Sequence, residues 1–206
     1  MHKRQLFMSM ALVFSSLAAT QSIAQSSTFK IGLILPMTGQ LASTGRQIEA
    51  ATKLYMAQHG DTVAGKKIQL IIKDDTTVPD VTKRLAQELV VNDKVDVLAG
   101  FGITPSALAT APIATQSKTP MVVMSAATSS ITQASPYIVR TSFTLAQASV
   151  AMGDWAPQNG MKKVVTLVSE HGPGIDAEKY FVERLLLNGG QVADSLRVPI
   201  RNPDFA

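Results

Sequence analysis

Small hydroxyl-bearing residues gather where apolar runs of this sequence end. The stretch MVVMSAATSS, residues 121–130, has four core-type residues followed by six that are small and mostly hydroxylic. An earlier run, VLAG, is followed by Thr104 and Ser106, which stand where a helix is predicted to begin. Hydroxyls and the free backbone N–H groups of a first helical turn can hold an anion without a Lys or Arg side chain. Thr104 and Ser106, together with Thr128 to Ser130, therefore predict a small cup that binds a carboxylate.

A structural role is the alternative for each of these hydroxyls. Ser and Thr are common N-cap residues, so any single one is more simply explained as a cap. Two such loops on neighbouring strands favour binding, because ligands of open parallel sheets lie beyond the carboxyl ends of the strands. The adjacent Asp74 and Asp75 are predicted to serve turns or caps, since neighbouring strand residues point to opposite faces and cannot easily share a proton.

Alternating apolar and amphipathic segments predict the α/β fold that positions these loops. Strands are predicted over residues 30–35, 67–72, 95–99 and 121–124, and helices over 44–59, 79–91 and 105–116. The pattern then restarts, with strands over 137–143, 163–168 and 191–199 and helices over 145–159 and 176–187. Such alternation favours parallel sheets covered by helices. We predict a first lobe over residues 25–143 and a partial second lobe over 144–206.

The N-terminal residues are typical of a secretory signal. Lys3 and Arg4 precede a short apolar run, and Ser22-Ile23-Ala24 has the small residues of a cleavage site, so residues 1–24 are predicted to be removed. A membrane anchor is the alternative, but Ser, Thr and Gln dilute the run. With 46% hydrophobic and 17% charged residues, and a formal charge of only +4 that falls without the leader, the sequence favours an exported globular protein that does not bind nucleic acid.

A glycine-rich segment raises an enzymatic alternative. Residues 172–177, GPGIDA, fit a dinucleotide-binding fingerprint between a strand and a helix, and Asp194 follows at about the right distance. Proline at the second position removes an N–H that would approach the phosphates, and Asp194 falls inside the next apolar run. The three histidines are isolated and no hydrolase motif is present, so we predict a protein with no catalytic residues, no metal and no cofactor.

Three motifs in order, KIGLILPMTGQLASTGRQIEAA, VLAGFGITPSALATAPIA and TPMVVMSAATSSIT, resemble the leucine/isoleucine/valine-type periplasmic substrate-binding proteins of ABC transporters. The resemblance implies a type I periplasmic binding fold, two lobes that close on a small carboxylate-bearing solute, and delivery to a membrane permease. It also implies a periplasmic monomer. A second lobe with two strands cannot cover its own core well, so the chain is expected to be an N-terminal portion of a longer protein. Later, YIVRTSF resembles the family's first crossing between lobes. A ligand-sensing receptor domain of the same fold is the alternative.

The resemblance also implies ligand-binding residues. The loops that match residues 102–106 and 125–128 bind the ligand carboxylate through hydroxyls and backbone groups, and these loops hold Thr104, Ser106, Ser125, Ala126 and Thr128. Thr44 matches a position that is often aromatic in the family, and His171 lies where relatives carry a tyrosine near the ligand. An acidic residue that binds a ligand ammonium is expected beyond Ala206.

Overall fold

The computed structural model describes residues 28–199, so the predicted signal at residues 1–24 lies outside the described residues. The helices, in chain order, are α1 (Ala42–His59), α2 (Pro79–Val91), α3 (Thr104–Ser117), α4 (Leu145–Gln158) and α5 (Gly172–Leu187). The strands are β1 (Thr28–Leu35), β2 (Thr62–Val63), β3 (Lys66–Asp74), β4 (Val97–Gly100), β5 (Met121–Val123), β6 (Ile138–Arg140), β7 (Lys163–Ser169) and β8 (Gln191–Val198). A short 3₁₀ helix, Ser129–Gln133, follows β5.

The strands form two separate sheets. The first has the order β2-β3-β1-β4-β5-β6, and its pairs are parallel except for the antiparallel β2–β3 edge. The second sheet is the parallel pair β7–β8. We call the first sheet with its helices the first lobe, and the second sheet with α4 and α5 the second lobe. The predicted α/β class with parallel sheets flanked by helices is confirmed.

The first sheet is apolar on both faces, as expected for a parallel sheet between helices. Successive β1 residues alternate, so that Ile34 joins a core cluster with Leu89 of α2, while Leu33 joins a second cluster on the opposite face. Phe101, directly after β4, is fully buried. This core fixes the carboxyl ends of β1, β4 and β5 side by side, which brings together the loops predicted to bind a ligand.

Most predicted elements occur with shifted ends. Helix α2 has the predicted bounds, whereas α5 begins at Gly172 rather than at Asp176. Proline in the first turn is compatible with a helix because that N–H has no intrahelical partner. The two-residue strand β2 and the 3₁₀ helix were not predicted. No helix within residues 28–199 is both long and apolar enough to cross a membrane.

Candidate functional site

Two threonine hydroxyls meet at the carboxyl edge of the first sheet. Thr104 Oγ1 and Thr128 Oγ1 are 2.7 Å apart, and the two residues are only 4% and 5% exposed. Neither hydroxyl caps the helix that begins beside it. The capping alternative is therefore wrong for both residues. Each hydroxyl has one proton, so their mutual bond uses one and leaves the other available to an acceptor.

Helix α3 adds backbone donors to this pair. The first helical bond of α3 runs from the N–H of Ala107 to the carbonyl of Ile103 at 3.1 Å. The N–H groups of Thr104 and Ser106 come before it, and Pro105 between them has none. The positive end of the helix dipole therefore lies next to the hydroxyl pair.

The start of helix α5 faces the same pair from the second lobe. A Cβ added at Gly172 would lie 3.5 Å from Thr104 Cγ2 and 3.7 Å from Thr128 Oγ1. The first helical bond of α5 runs from Ile175 N–H to the His171 carbonyl at 3.0 Å, so the N–H groups of Gly172 and Gly174 precede it. Two helix N-termini thus converge on two hydroxyls, an arrangement that favours a bound anion.

The next residue of the hydroxyl-rich loop connects the two lobes. Ser129 donates its backbone N–H to Asp176 Oδ2 at 2.9 Å and its hydroxyl to Asp176 Oδ1 at 2.6 Å. Arg140 Nη2 donates to the Thr128 carbonyl at 2.6 Å. Burial lowers the pKa of Arg140, and the negative charge of Asp176 opposes that shift. Part of the predicted carboxylate-binding loop therefore holds a carboxylate of the protein itself.

A cleft of about 720 Å³ lies between the lobes beside this cluster. Its volume is within the roughly 300–1,000 Å³ that is usual for small-molecule sites. The lining is largely apolar or small and includes one acidic residue: Gly39, Gln40, Leu41, Thr76, Thr77, Pro79, Ile103, Pro105, Glu170, His171 and Pro199. His171 Nδ1 is buried and has no hydrogen-bond partner among the described residues.

Other predicted site residues have different surroundings. The Ser106 hydroxyl is buried and lies 2.7 Å from Thr82 Oγ1, which donates to Asp75 Oδ2 at 2.8 Å. This hydroxyl is therefore part of the first-lobe core, and the expectation that it faces a ligand is corrected.

Three other predicted site residues, Ala126, Ser125 and Thr44, also lie in surroundings other than those predicted. The Ala126 N–H donates to the Phe101 carbonyl at 3.0 Å, so this donor is already used within the first lobe. Ser125 Oγ is 3.5 Å from the Gly102 carbonyl. Thr44 is half-buried in α1, about one turn after Leu41, where the cleft lining of this segment ends.

The adjacent Asp74 and Asp75 have separate structural roles, as predicted. Asp74 accepts hydrogen bonds from the Met37 N–H at 2.9 Å and the Thr38 hydroxyl at 2.7 Å, so it fixes the loop after β1. Asp75 accepts from the Thr77 N–H at 3.0 Å. The two carboxylates share no partner among these bonds.

Three residues of the site were not predicted from the sequence: Arg140, Gly172 and Asp176. Gly172 and Asp176 belong to the GPGIDA segment, which fits a dinucleotide fingerprint by its spacing but is disfavoured as one by its proline. A Cβ at Gly174 would lie 2.0 Å from the Ser169 carbonyl oxygen, so this glycine is required for close packing of α5 on β7. Close helix–strand packing explains the glycine spacing without a bound phosphate.

The fold and the site define an α/β protein with a cleft between two lobes. The family profile described as periplasmic binding protein matches residues 28–206. The chain therefore belongs to the periplasmic binding protein family, and the resemblance found in its three motifs is confirmed.

The relatives include curated and structurally characterised proteins. The chain is 44% identical over 197 residues to Leu/Ile/Val-binding protein homolog 6 of Brucella abortus (strain 2308), covering 95% of this chain and 50% of that protein. It is 65% identical to an ABC-transporter solute-binding protein of Rhodopseudomonas palustris BisB5, solved in complex with 3,4-dihydroxybenzoic acid, with a TM-score of 0.83 and coverage of 87% and 49%.

A solute-binding protein of R. palustris HaA2, in complex with p-hydroxybenzoic acid, is 45% identical, with a TM-score of 0.84 and coverage of 87% and 49%. The chain thus spans about half the length of the relatives that it matches.

Proposed function

We propose that this protein is the periplasmic solute-binding component of an ABC transporter and that its solute is a hydroxylated benzoate. The observation that carries the proposal is the convergence of the Thr104–Thr128 hydroxyl pair with the N-termini of α3 and α5. This cluster provides donors and no carboxylate that would repel an anionic ligand group, apart from Asp176, which is already bound to Ser129. An acid of small size fits this set of donors.

The ligand carboxylate is proposed to bind between the two helix starts. It accepts hydrogen bonds from the free hydroxyl of the threonine pair and from the first-turn N–H groups of both helices. Hydrogen bonds to charged groups contribute about 1.5–3 kcal/mol each, and a helix N-terminus about 0.3–1 kcal/mol more. Because donors come from both lobes, the carboxylate favours the closed arrangement over an open one.

The cleft beside these donors favours an aromatic ring with a hydroxyl group. Ile103, Pro105 and Leu41 offer apolar surface, and His171 Nδ1 offers a buried polar atom without a protein partner. We propose that this nitrogen binds a ring hydroxyl. The relatives solved with 3,4-dihydroxybenzoic acid and p-hydroxybenzoic acid support the same ligand class.

A branched-chain or related amino acid is the second candidate. Glu170 lines the same cleft and can bind an ammonium group, and the Brucella relative is named as a Leu/Ile/Val-binding protein homologue. We propose that the protein acts as a periplasmic monomer after removal of the signal, and that the closed form is recognised by a membrane permease. A receptor domain of the same fold would bind the same solute without a permease.

Isothermal titration of the full-length protein with 3,4-dihydroxybenzoate, 4-hydroxybenzoate, benzoate and leucine tests the ligand class. Thr128→Val keeps the side-chain shape and removes one donor. We expect it to weaken hydroxybenzoate binding by about 1–3 kcal/mol.

Ser106→Ala is the matched control, because it removes a buried hydroxyl that bonds Thr82 while its backbone N–H remains. It should lower the free energy of unfolding and leave ligand affinity nearly unchanged. Equal losses of affinity in both variants would contradict the assignment of Thr128, and binding of leucine alone would replace the benzoate proposal.

A further inference from the structure

The peptide group between Thr128 and Ser129 is held from both sides. Its carbonyl accepts a hydrogen bond from Arg140 Nη2 at 2.6 Å, and its N–H donates to Asp176 Oδ2 at 2.9 Å. Because a peptide group is planar, these two bonds fix one rigid unit. The Thr128 side chain is attached directly to that unit, so the orientation of its hydroxyl depends on both charged residues.

The two bonds come from different parts of the molecule. Arg140 ends strand β6 of the first lobe, whereas Asp176 lies in α5 of the second lobe. The Ser129 hydroxyl adds a second bond to the same carboxylate, at 2.6 Å. The Asp176 contact therefore exists only when the lobes are close together, while the Arg140 contact does not depend on the second lobe.

The charges are arranged to reinforce this contact. The positive guanidinium lies at the carbonyl end of the peptide and the negative carboxylate lies at its N–H end, so the peptide dipole is aligned between them. Arg140 Nε and Nη1 are buried and have no hydrogen-bond partner among the described residues. A nearby negative charge compensates for the burial of this cation.

We propose that Asp176 is a positioning residue that latches the second lobe to the ligand-binding loop. Its carboxylate holds Ser129, stabilises the closed form and keeps Thr128 oriented toward Thr104. The latch is made through Ser129, whereas the ligand is proposed to bind Thr128. The latch therefore also acts when no ligand is bound. The effect on ligand release rests on the proposed function, whereas the effect on lobe closure does not.

The test uses the full-length protein with Asp176→Asn, Ser129→Ala and the double variant. Asp194→Asn is the matched control, because Asp194 is exposed and takes no part in the contact between the lobes. The sequence has no cysteine, so Ala50→Cys and Glu183→Cys provide label sites on exposed positions of α1 and α5. The inter-label distance without ligand reports lobe closure.

We expect each latch variant to lengthen or broaden this distance without ligand. We also expect release of 3,4-dihydroxybenzoate, measured by stopped flow, to become about 10- to 150-fold faster, in line with the loss of one charge-assisted hydrogen bond. The double variant should be less affected than the product of the two single effects, because both substitutions act on the same contact between Ser129 and Asp176.

Unchanged distances in both single variants would overturn the latch, as would effects that multiply fully in the double variant. A wild-type protein that fails to bind the benzoates would instead contradict the proposed function. The distance measurement would still decide whether the latch exists, because it needs no ligand.

Discussion

Replacement of Gly172 by alanine separates stability from ligand binding, because the two should change in opposite directions. Gly172 is the first residue of α5, is exposed, and does not have the positive φ that would strain an alanine. The new Cβ would lie 3.5 Å from Thr104 Cγ2 and 3.7 Å from Thr128 Oγ1, which are ordinary contact distances. The folded protein without ligand therefore accepts the methyl group. A compatible Gly→Ala change stabilises a protein by about 0.4–1 kcal/mol, because it restricts the unfolded chain.

The same methyl group interferes with the proposed carboxylate. A carboxylate oxygen bound to Thr128 lies about 2.7 Å from the hydroxyl oxygen. On the side facing α5, it would fall within the contact distance of a Cβ placed 3.7 Å from that oxygen. The ligand must then shift away from at least one donor. Loss of one such bond corresponds to about 1.5–3 kcal/mol, or roughly a 10- to 150-fold weaker affinity.

Thermal unfolding without ligand and titration with 3,4-dihydroxybenzoate measure the two effects in the same full-length preparation. We expect Gly172→Ala to raise or maintain Tm and to weaken binding. Gly174→Ala is the comparison, since its Cβ would lie 2.0 Å from the Ser169 carbonyl oxygen and should lower Tm strongly. Full affinity in Gly172→Ala would refute the placement of the carboxylate between α5 and the threonine pair.

Two further predictions concern the cleft and the loop after β1. His171→Phe should weaken 4-hydroxybenzoate binding about 5- to 20-fold and spare benzoate, because only the hydroxylated ligand uses Nδ1; equal weakening of both ligands in titrations would contradict this role. Partial burial acts to raise the pKa of Asp74, but hydrogen bonds from Thr38, Thr76 and Met37 outweigh it and hold the pKa below its usual value. The stabilising contribution of a depressed carboxyl pKa is present above the unfolded value of about 3.9 and is lost as pH falls through the folded value. The Tm difference between wild type and Asp74→Asn should therefore shrink below about pH 4. A Tm difference that grows as the pH falls would contradict a lowered pKa of Asp74 in the folded protein.

The sequence predicts the fold well because the helix and strand patterns along the chain agree with the fold that the elements form together. Helix α2 has the predicted bounds, since Pro79 favours its first turn and a single apolar stripe runs along its length. The short, β-branched apolar runs occur as strands at the predicted places. Helix α5 was the main error, because GPG has the composition of a loop although its proline fits the first turn of a helix.

The binding residues were predicted only in part, and the reason is physical. Composition identifies a loop rich in hydroxyls, but it does not say which partner each hydroxyl binds. Ser106 lies in the first turn of α3, yet its hydroxyl contacts Thr82 in the core, and Thr82 donates to Asp75. The partner of Ser129 is 47 residues away in the sequence. Arg140 binds a backbone carbonyl, and because every residue has one, no residue type in the sequence indicates this contact.

The loop after β5 divides its donors between two neighbouring residues. In our proposals, Thr128 binds the solute and Ser129 binds the second lobe through Asp176, so only substitution of Ser129 should change the inter-lobe distance without ligand. Thr128→Val should weaken ligand binding and leave the inter-lobe distance without ligand unchanged. Ser129→Ala should change that distance even when no ligand is present. If Thr128→Val altered the unliganded distance as much as Ser129→Ala, capture and closure would depend on the loop as a whole, and the division between the two residues would be wrong.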